Sequence, residues 1–153
     1  QSFDVDDEAL FPFYRVLDEL GLVVVCHTGF DFAFPRDRKA DPARIMRVLD
    51  RAPGLRFVAT HMGAWDDWDE VEKHLLGKPV TIDVSLSLEL LGRSRARDML
   101  LGHPSDRVLF GTDSPWASQT ETLRLVQGLE LGAEREALLL WKNARRLLGR
   151  VDG

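Results

Sequence analysis

The sequence predicts an α/β chain built on a parallel sheet. Three observations carry this expectation. Helix-like and strand-like segments alternate along the 153 residues. The strand-like segments are short and apolar, as expected of buried parallel strands. Three of them run into a polar residue and then a turn: "CHTG" at His27, "THMG" at His61 and "TDSP" at Asp113.

Residues 4–21, "DVDDEALFPFYRVLDELG", read as a helix with acidic residues at its amino end, where they suit the helix dipole. Leu10, Phe13, Leu17 and Leu20 form its expected apolar stripe, and Gly21 is a natural stop. "LVVVCH" follows as a strand, expected to be covered on both faces. After a long loop, "DPARIMRVLDRAPG" reads as a helix capped by Asp41 with Pro42 in its first turn. "LRFVATH" is the second strand and "AWDDWDEVEKHLLG" the next helix. "PVTIDVSLS" is the third strand, with Val80, Ile82 and Val84 on one face and Thr81, Asp83 and Ser85 on the other. "ELLGRSRARDMLLGHP" is helical with a break expected at Gly92. "RVLFGTD" is the last strand, before two closing helices in "SQTETLRLVQGLELG" and "AEREALLLWKNARRLLG". The order is αβαβαβαβαα, expected to form a single domain over 1–153.

Composition narrows the function. The chain is 44% hydrophobic and 29% charged, enough apolar material for a core. The net charge is -5 and no Lys/Arg block occurs, which argues against nucleic acid as a partner. The apolar runs are far shorter than the roughly 18–20 residues of a membrane span. One cysteine, Cys26, excludes an intrachain disulfide and fits a reducing compartment. No signal-peptide pattern opens the chain, so a cytoplasmic location is expected. The chain starts at Gln1 without an initiator methionine and reads as a segment of something longer.

In parallel α/β sheets the chemistry sits at the carboxyl ends of the strands. His27, His61 and Asp113 fall there, and Asp83 projects from the third strand toward the same interior. Two imidazoles and a carboxylate suit zinc, manganese or iron(II). Such a metal lowers the pKa of bound water to about 7, and a neighbouring His or Asp can shuttle protons. Trp65, Trp68 and Trp116 are expected at the pocket rim. His74 and His103 are expected on the surface and Trp141 in the core. Cys26 is expected to be a small buried hydrophobe facing away from His27.

The segments "VVVCHTG", "FVATHMGAWDDWDEVEKHLLGK", "VTIDVSLS", "RVLFGTDSPWASQTETL" and "NARRLLG" resemble, in combination and order, the amidohydrolase-related metal-dependent hydrolases, in particular the aminocarboxymuconate-semialdehyde decarboxylase-like branch. The resemblance implies a TIM barrel, of which these four βα units match strands five to eight, a carboxyl-terminal half barrel. It implies that His27 binds metal, that His61 binds metal or acts as acid/base, and that Asp113 binds metal and handles a proton. Asp83 matches the seventh strand. The family's His-x-His after its first strand is absent from this sequence, and four strands are half of the barrel's eight. The amino-terminal half is therefore expected to lie outside this chain.

The resemblance implies a metal-dependent hydrolase of a small carboxylated or carbonyl-containing metabolite, with a divalent metal, zinc first among the candidates. Asp113 is the expected base, and His61 is expected to steady an oxyanion. The loop 29–40 is expected to cover the substrate, with Arg36, Arg38 and Lys39 available to an anionic group. Asp83, Trp65, Trp116 and Arg36 are the expected substrate contacts. Decarboxylation on the same scaffold is the alternative. Metal-free, lactonase-type use of the fold is another, and so is a non-catalytic half barrel that binds a partner. The open strand edges are expected to pair with the missing half or with a second copy, giving a homo-oligomer.

Overall fold

The computed structural model describes residues 3–149; the expected domain limits of 1–153 extend beyond them at both ends. Four parallel strands form one sheet in sequence order: β1 (Val23–Cys26), β2 (Arg56–Ala59), β3 (Thr81–Asp83) and β4 (Val108–Leu109). Helices α1 (Phe11–Glu19), α2 (Pro42–Arg51), α3 (Trp68–His74), α4 (Leu88–Gly102), α5 (Gln119–Gly128), α6 (Ala133–Ala137) and α7 (Asn143–Leu147) complete the alternating order. The α/β half-barrel expectation holds: four parallel strands with intervening helices. Among the described residues, no helix is long and apolar enough to cross a membrane.

The register places Cys26, Ala59, Ile82 and Val108 on one rung of the sheet. His27, Thr60, Asp83 and Leu109 follow one residue later, so three of the four strands turn polar just beyond the rung, and His61 follows Thr60. Behind the sheet, Ile45 and Val48 of α2, Val71 of α3, Ala96 and Met99 of α4 and Val126 of α5 are buried against Ala59, Val80, Ile82 and Val84. Asp41 caps α2 by accepting from Ala43 N and Arg44 N, with Pro42 at the first helical position. Gly92 takes φ 72° and breaks α4 where the sequence expects it.

Four expectations need correction. Val25 is 66% exposed, so β1 is covered on one side only: Val24 and Cys26 pack on the core, while the side that carries His27 lies open. α1 buries Tyr14, whose hydroxyl donates to Val5 O at 2.7 Å, and exposes Phe13 and Leu20. Desolvation raises that phenol to about 12. Trp141 is exposed because a π-helical turn, Leu138–Lys142, adds a residue and rotates it off the core face. Lys142 and Arg145 lie over its ring instead. Finally, His103 is buried, not on the surface. Its Nε2 donates to Val80 O at 3.0 Å, while its buried Nδ1 has no partner among the described residues.

Burial holds the His103 imidazole below its ordinary value, against the opposing pull of the Val80 carbonyl. The unfolded chain, with a His value near 6.5, therefore takes up the proton first on acidification. Stability is expected to fall as pH drops through about 6.5 toward the folded-state value. His61 is shifted in the same direction and contributes to the same loss. Urea unfolding above and below this window should show a smaller loss for His103→Gln than for wild type. Equal losses would show that His103 does not titrate differently on folding.

Candidate functional site

His61 stands at the centre of the strand-end cluster. Its backbone is left-handed, at φ 60°, and Met62 follows at φ 56°. Such a conformation persists in a non-glycine residue only when its surroundings over-determine it. Here they do. His61 N donates to Asp83 Oδ1 at 2.9 Å, Met62 N to Asp83 O at 2.7 Å, and Trp68 Nε1 donates to His61 O at 3.0 Å. The imidazole itself is buried, and burial pushes it below its ordinary value while the Ser85 carbonyl pulls the other way.

His27 faces it across β1 and β2, with His27 Nδ1 and His61 Nε2 3.1 Å apart. The outer nitrogens decide the tautomers. His27 Nε2 lies 3.0 Å from Phe30 O, and Asp31 Oδ2 is 4.0 Å away, so this nitrogen faces acceptors and must carry the proton. His61 Nδ1 lies 3.2 Å from Ser85 O and is protonated for the same reason. Each neutral ring then turns a bare lone pair toward the other. Two lone pairs at hydrogen-bonding distance repel unless a cation lies between them, either an extra proton or a metal ion. Outer nitrogens bonded to carbonyls with inner nitrogens free is the usual arrangement of metal-ligating histidines. The pair therefore fits two positions of a divalent-metal set. Among the described residues, no three His, Cys, Asp or Glu side chains converge closely enough to hold an ion. The expected trio of His27, His61 and Asp113 is thus corrected to a converging pair with Asp113 nearby.

Asp113 shares with the two histidines a cavity of about 360 Å³. It too is left-handed, at φ 61°, and its carbonyl accepts from Trp116 N at 2.9 Å. Trp65, Trp116, Phe32 and Leu86 form apolar walls. Trp65 meets the His61 ring edge to face at 5.7 Å, and Phe32 meets Trp116 at 6.1 Å. Trp65 and Trp116 line this cavity. The other two expected substrate contacts do not. Asp83 lies outside the lining, its Oδ1 occupied by His61 N, Ser85 N and Ser85 Oγ. Arg36 is drawn away by Asp66 and lies over the Phe30 ring. Arg38 forms a two-pronged pair with the buried Asp67, and Lys39 lies near Asp4 and Asp37, so the loop's cations are neutralised within the chain.

These pairs staple loop 29–40 to the β2–α3 connection. Phe30 N donates to Trp65 O and Trp65 N to Thr28 O, with Gly29 at the crossing. Sequence reasoning did not single out Asp31, Phe32 or Leu86. Asp31 sits four residues after His27 in "HTGFD", a spacing that could have marked it. Trp68, expected at the rim, is instead buried outside the cavity lining, where its Nε1 holds His61 O. His74, as expected, is not at the site: it pairs with Glu70 one turn back on α3.

Residues 1–150 match the amidohydrolase family (Amidohydro_2). The chain belongs to that family. No curated protein matches it. Among solved structures it resembles 2,6-dihydroxybenzoate decarboxylase from Rhizobium, at TM-score 0.70 and 16% identity over 95% of this chain and 57% of that one. It resembles a dihydroxybenzoic acid decarboxylase from Polaromonas sp. JS666, bound to manganese and the inhibitor 2-nitroresorcinol. That match has TM-score 0.70 and 15% identity over 95% and 55% of the two chains. An uncharacterised TIM-barrel protein from Bordetella bronchiseptica is 25% identical at TM-score 0.70, over 97% of this chain and 53% of that one. The chain thus spans little more than half the length of each. Two of these structures are named as decarboxylases, and one of them holds manganese.

The crossing at Gly29 gives a direct check on how the site is assembled. At φ 87°, an added Cβ would fall 2.6 Å from Ala64 C and closer still to the Trp65 backbone. Gly29→Ala should cost about 2 kcal/mol or more in urea unfolding. A loss under about 0.5 kcal/mol would mean that the two loops are not in contact.

Proposed function

We propose that this chain contributes the His27, His61 and Asp113 part of a metal-dependent active site that decarboxylates a small, planar, carboxylated substrate. The observation that carries the reading is the pair of bare imidazole nitrogens 3.1 Å apart on the wall of a cavity that also holds a carboxylate. The aromatic walls at Phe32, Trp65 and Trp116 suit a flat ring. The decarboxylases it resembles in fold, one named with a dihydroxybenzoate and one with manganese, support the same class.

A divalent ion held by His27 and His61 would supply Lewis-acid polarisation of a substrate oxygen. The rest falls to the chain. Trp65 and Trp116 exclude water and set the plane of the ring. Asp113 gives a proton to the carbon bearing the carboxylate; the carbon–carbon bond then breaks, its electrons return to the ring, and carbon dioxide leaves. Asp113 regains its proton from solvent. Ligands that complete the metal set come from outside the described residues, from an amino-terminal half barrel or a second copy. The edge position of β1 and the exposure of Val25 support pairing there.

Hydrolysis is the second reading, favoured by the solvent exposure of Asp113, which could take a proton from an attacking water. The two reactions part at the product. With manganese supplied, 2,6-dihydroxybenzoate labelled at its carboxyl carbon should release labelled carbon dioxide. Asp113→Asn should slow that release about 100-fold or more. Turnover of an ester or amide probe with no carbon dioxide would move the chain to the hydrolase reading. Undiminished release by Asp113→Asn would show that Asp113 is not the proton donor.

A further inference from the structure

Asp83 and Ser85 do not touch the cavity's contents in either reaction, yet their hydrogen bonds all converge on His61. Asp83 Oδ1 accepts from His61 N at 2.9 Å, Ser85 N at 3.0 Å and Ser85 Oγ at 2.6 Å. Ser85 Oγ in turn lies 3.1 Å from His61 Nδ1, and Ser85 O lies 3.2 Å from the same nitrogen. A serine hydroxyl has one proton. The short bond to a carboxylate claims it. The hydroxyl oxygen is then left as an acceptor only, alongside the Ser85 carbonyl, itself held by Ser87 Oγ at 2.7 Å. Both atoms facing His61 Nδ1 are acceptors, so that nitrogen carries the imidazole's proton.

We propose that Asp83 is a positioning residue that acts through Ser85 to lock His61 in the Nδ1–H tautomer, so that Nε2 always offers its lone pair to the cavity. The same oxygen anchors the left-handed backbone of His61, so one carboxylate sets both the position and the tautomer of the ring. Its surroundings hold it there. Asp83 Oδ2 packs where a Cβ on Gly111 would come within 3.1 Å, so a side chain at Gly111 would press on the carboxylate. Without Asp83, the Ser85 proton is released and can turn toward His61 Nδ1. That favours the other tautomer, with N–H on Nε2 pointing into the cavity and no lone pair for a cation. The functional meaning of the lock rests on the metal-site reading; the lock itself does not.

Long-range proton–nitrogen correlation spectra of the metal-free chain, at mildly alkaline pH where imidazoles are neutral, read the tautomer directly. Wild type should show His61 wholly as Nδ1–H. Asp83→Ala should admit the Nε2–H form. Adding Ser85→Ala to it should restore the single Nδ1–H form, because the misdirected hydroxyl is gone and the Ser85 carbonyl remains. A merely structural role for Asp83 would not give that reversal. In manganese titrations of the same chains, Asp83→Ala should weaken binding about 10- to 100-fold. An Nε2–H tautomer in wild type overturns the proposal and needs no variant to fold. An unchanged tautomer in folded Asp83→Ala overturns it too, as does manganese binding that this variant leaves intact. The expected tautomer changes without manganese binding by any form would uphold the lock and remove the metal-site reading.

Discussion

One rung of parallel pairing, Cys26–Ala59–Ile82–Val108, sets everything that follows. The strands are very short, and their side chains behind the sheet are fully committed to the helices. The chain therefore has little freedom in where each strand ends. That alignment brings His27, Thr60 and Asp83 to one level from three distant stretches of sequence, with His61 one residue beyond. The turns beyond the rung are then fixed locally: Gly29 allows the first two to cross, and Asp83 ties the second to the third. Shifting any one strand by a residue would turn its own side chains to the opposite face and take its member out of the group.

Above the rung, the site is organised by which atoms can give a proton. Carbonyls of Phe30 and Ser85 take the outer imidazole protons, and the inner nitrogens are left to face each other. That arrangement has a cost, since two lone pairs are held close in a half-buried setting. The left-handed backbones of His61 and Asp113 add to it. Strain gathered at strand ends, while the core beneath is ordinary, marks a region kept for binding or chemistry. The three cations of the neighbouring loop, Arg36, Arg38 and Lys39, are by contrast spent on internal ion pairs and leave the cavity to the histidines, Asp31 and Asp113.

The strand–helix order, the Asp41 cap, the break at Gly92 and the strand-end residues were all legible in the sequence, because each rests on local propensity or a period of two. The helix faces of α1 and Trp141 were not. A π-helical turn shifts the period without any residue that announces it, and Tyr14 is favoured at the core by a hydroxyl partner nine residues away. His103 precedes a proline in what reads as a surface turn, yet the packing of α4 against the start of β3 buries it. The roles of Asp83 and Arg36 depended on partners in other segments, the His61 backbone for one and Asp66 for the other. Residue type and spacing put both at the strand ends or the loop above; only the three-dimensional pairing separates a group that touches substrate from one that positions a neighbour.

In the proposed site, His27 and His61 together offer two bare nitrogens to one cation. Calorimetric titration of the metal-free chain with manganese or zinc tests it most directly. One ion per site is expected, with binding lost in His27→Ala and in His61→Ala and kept in His74→Ala. Binding that survives the loss of either strand-end histidine, or no binding by the folded wild-type chain, would contradict it.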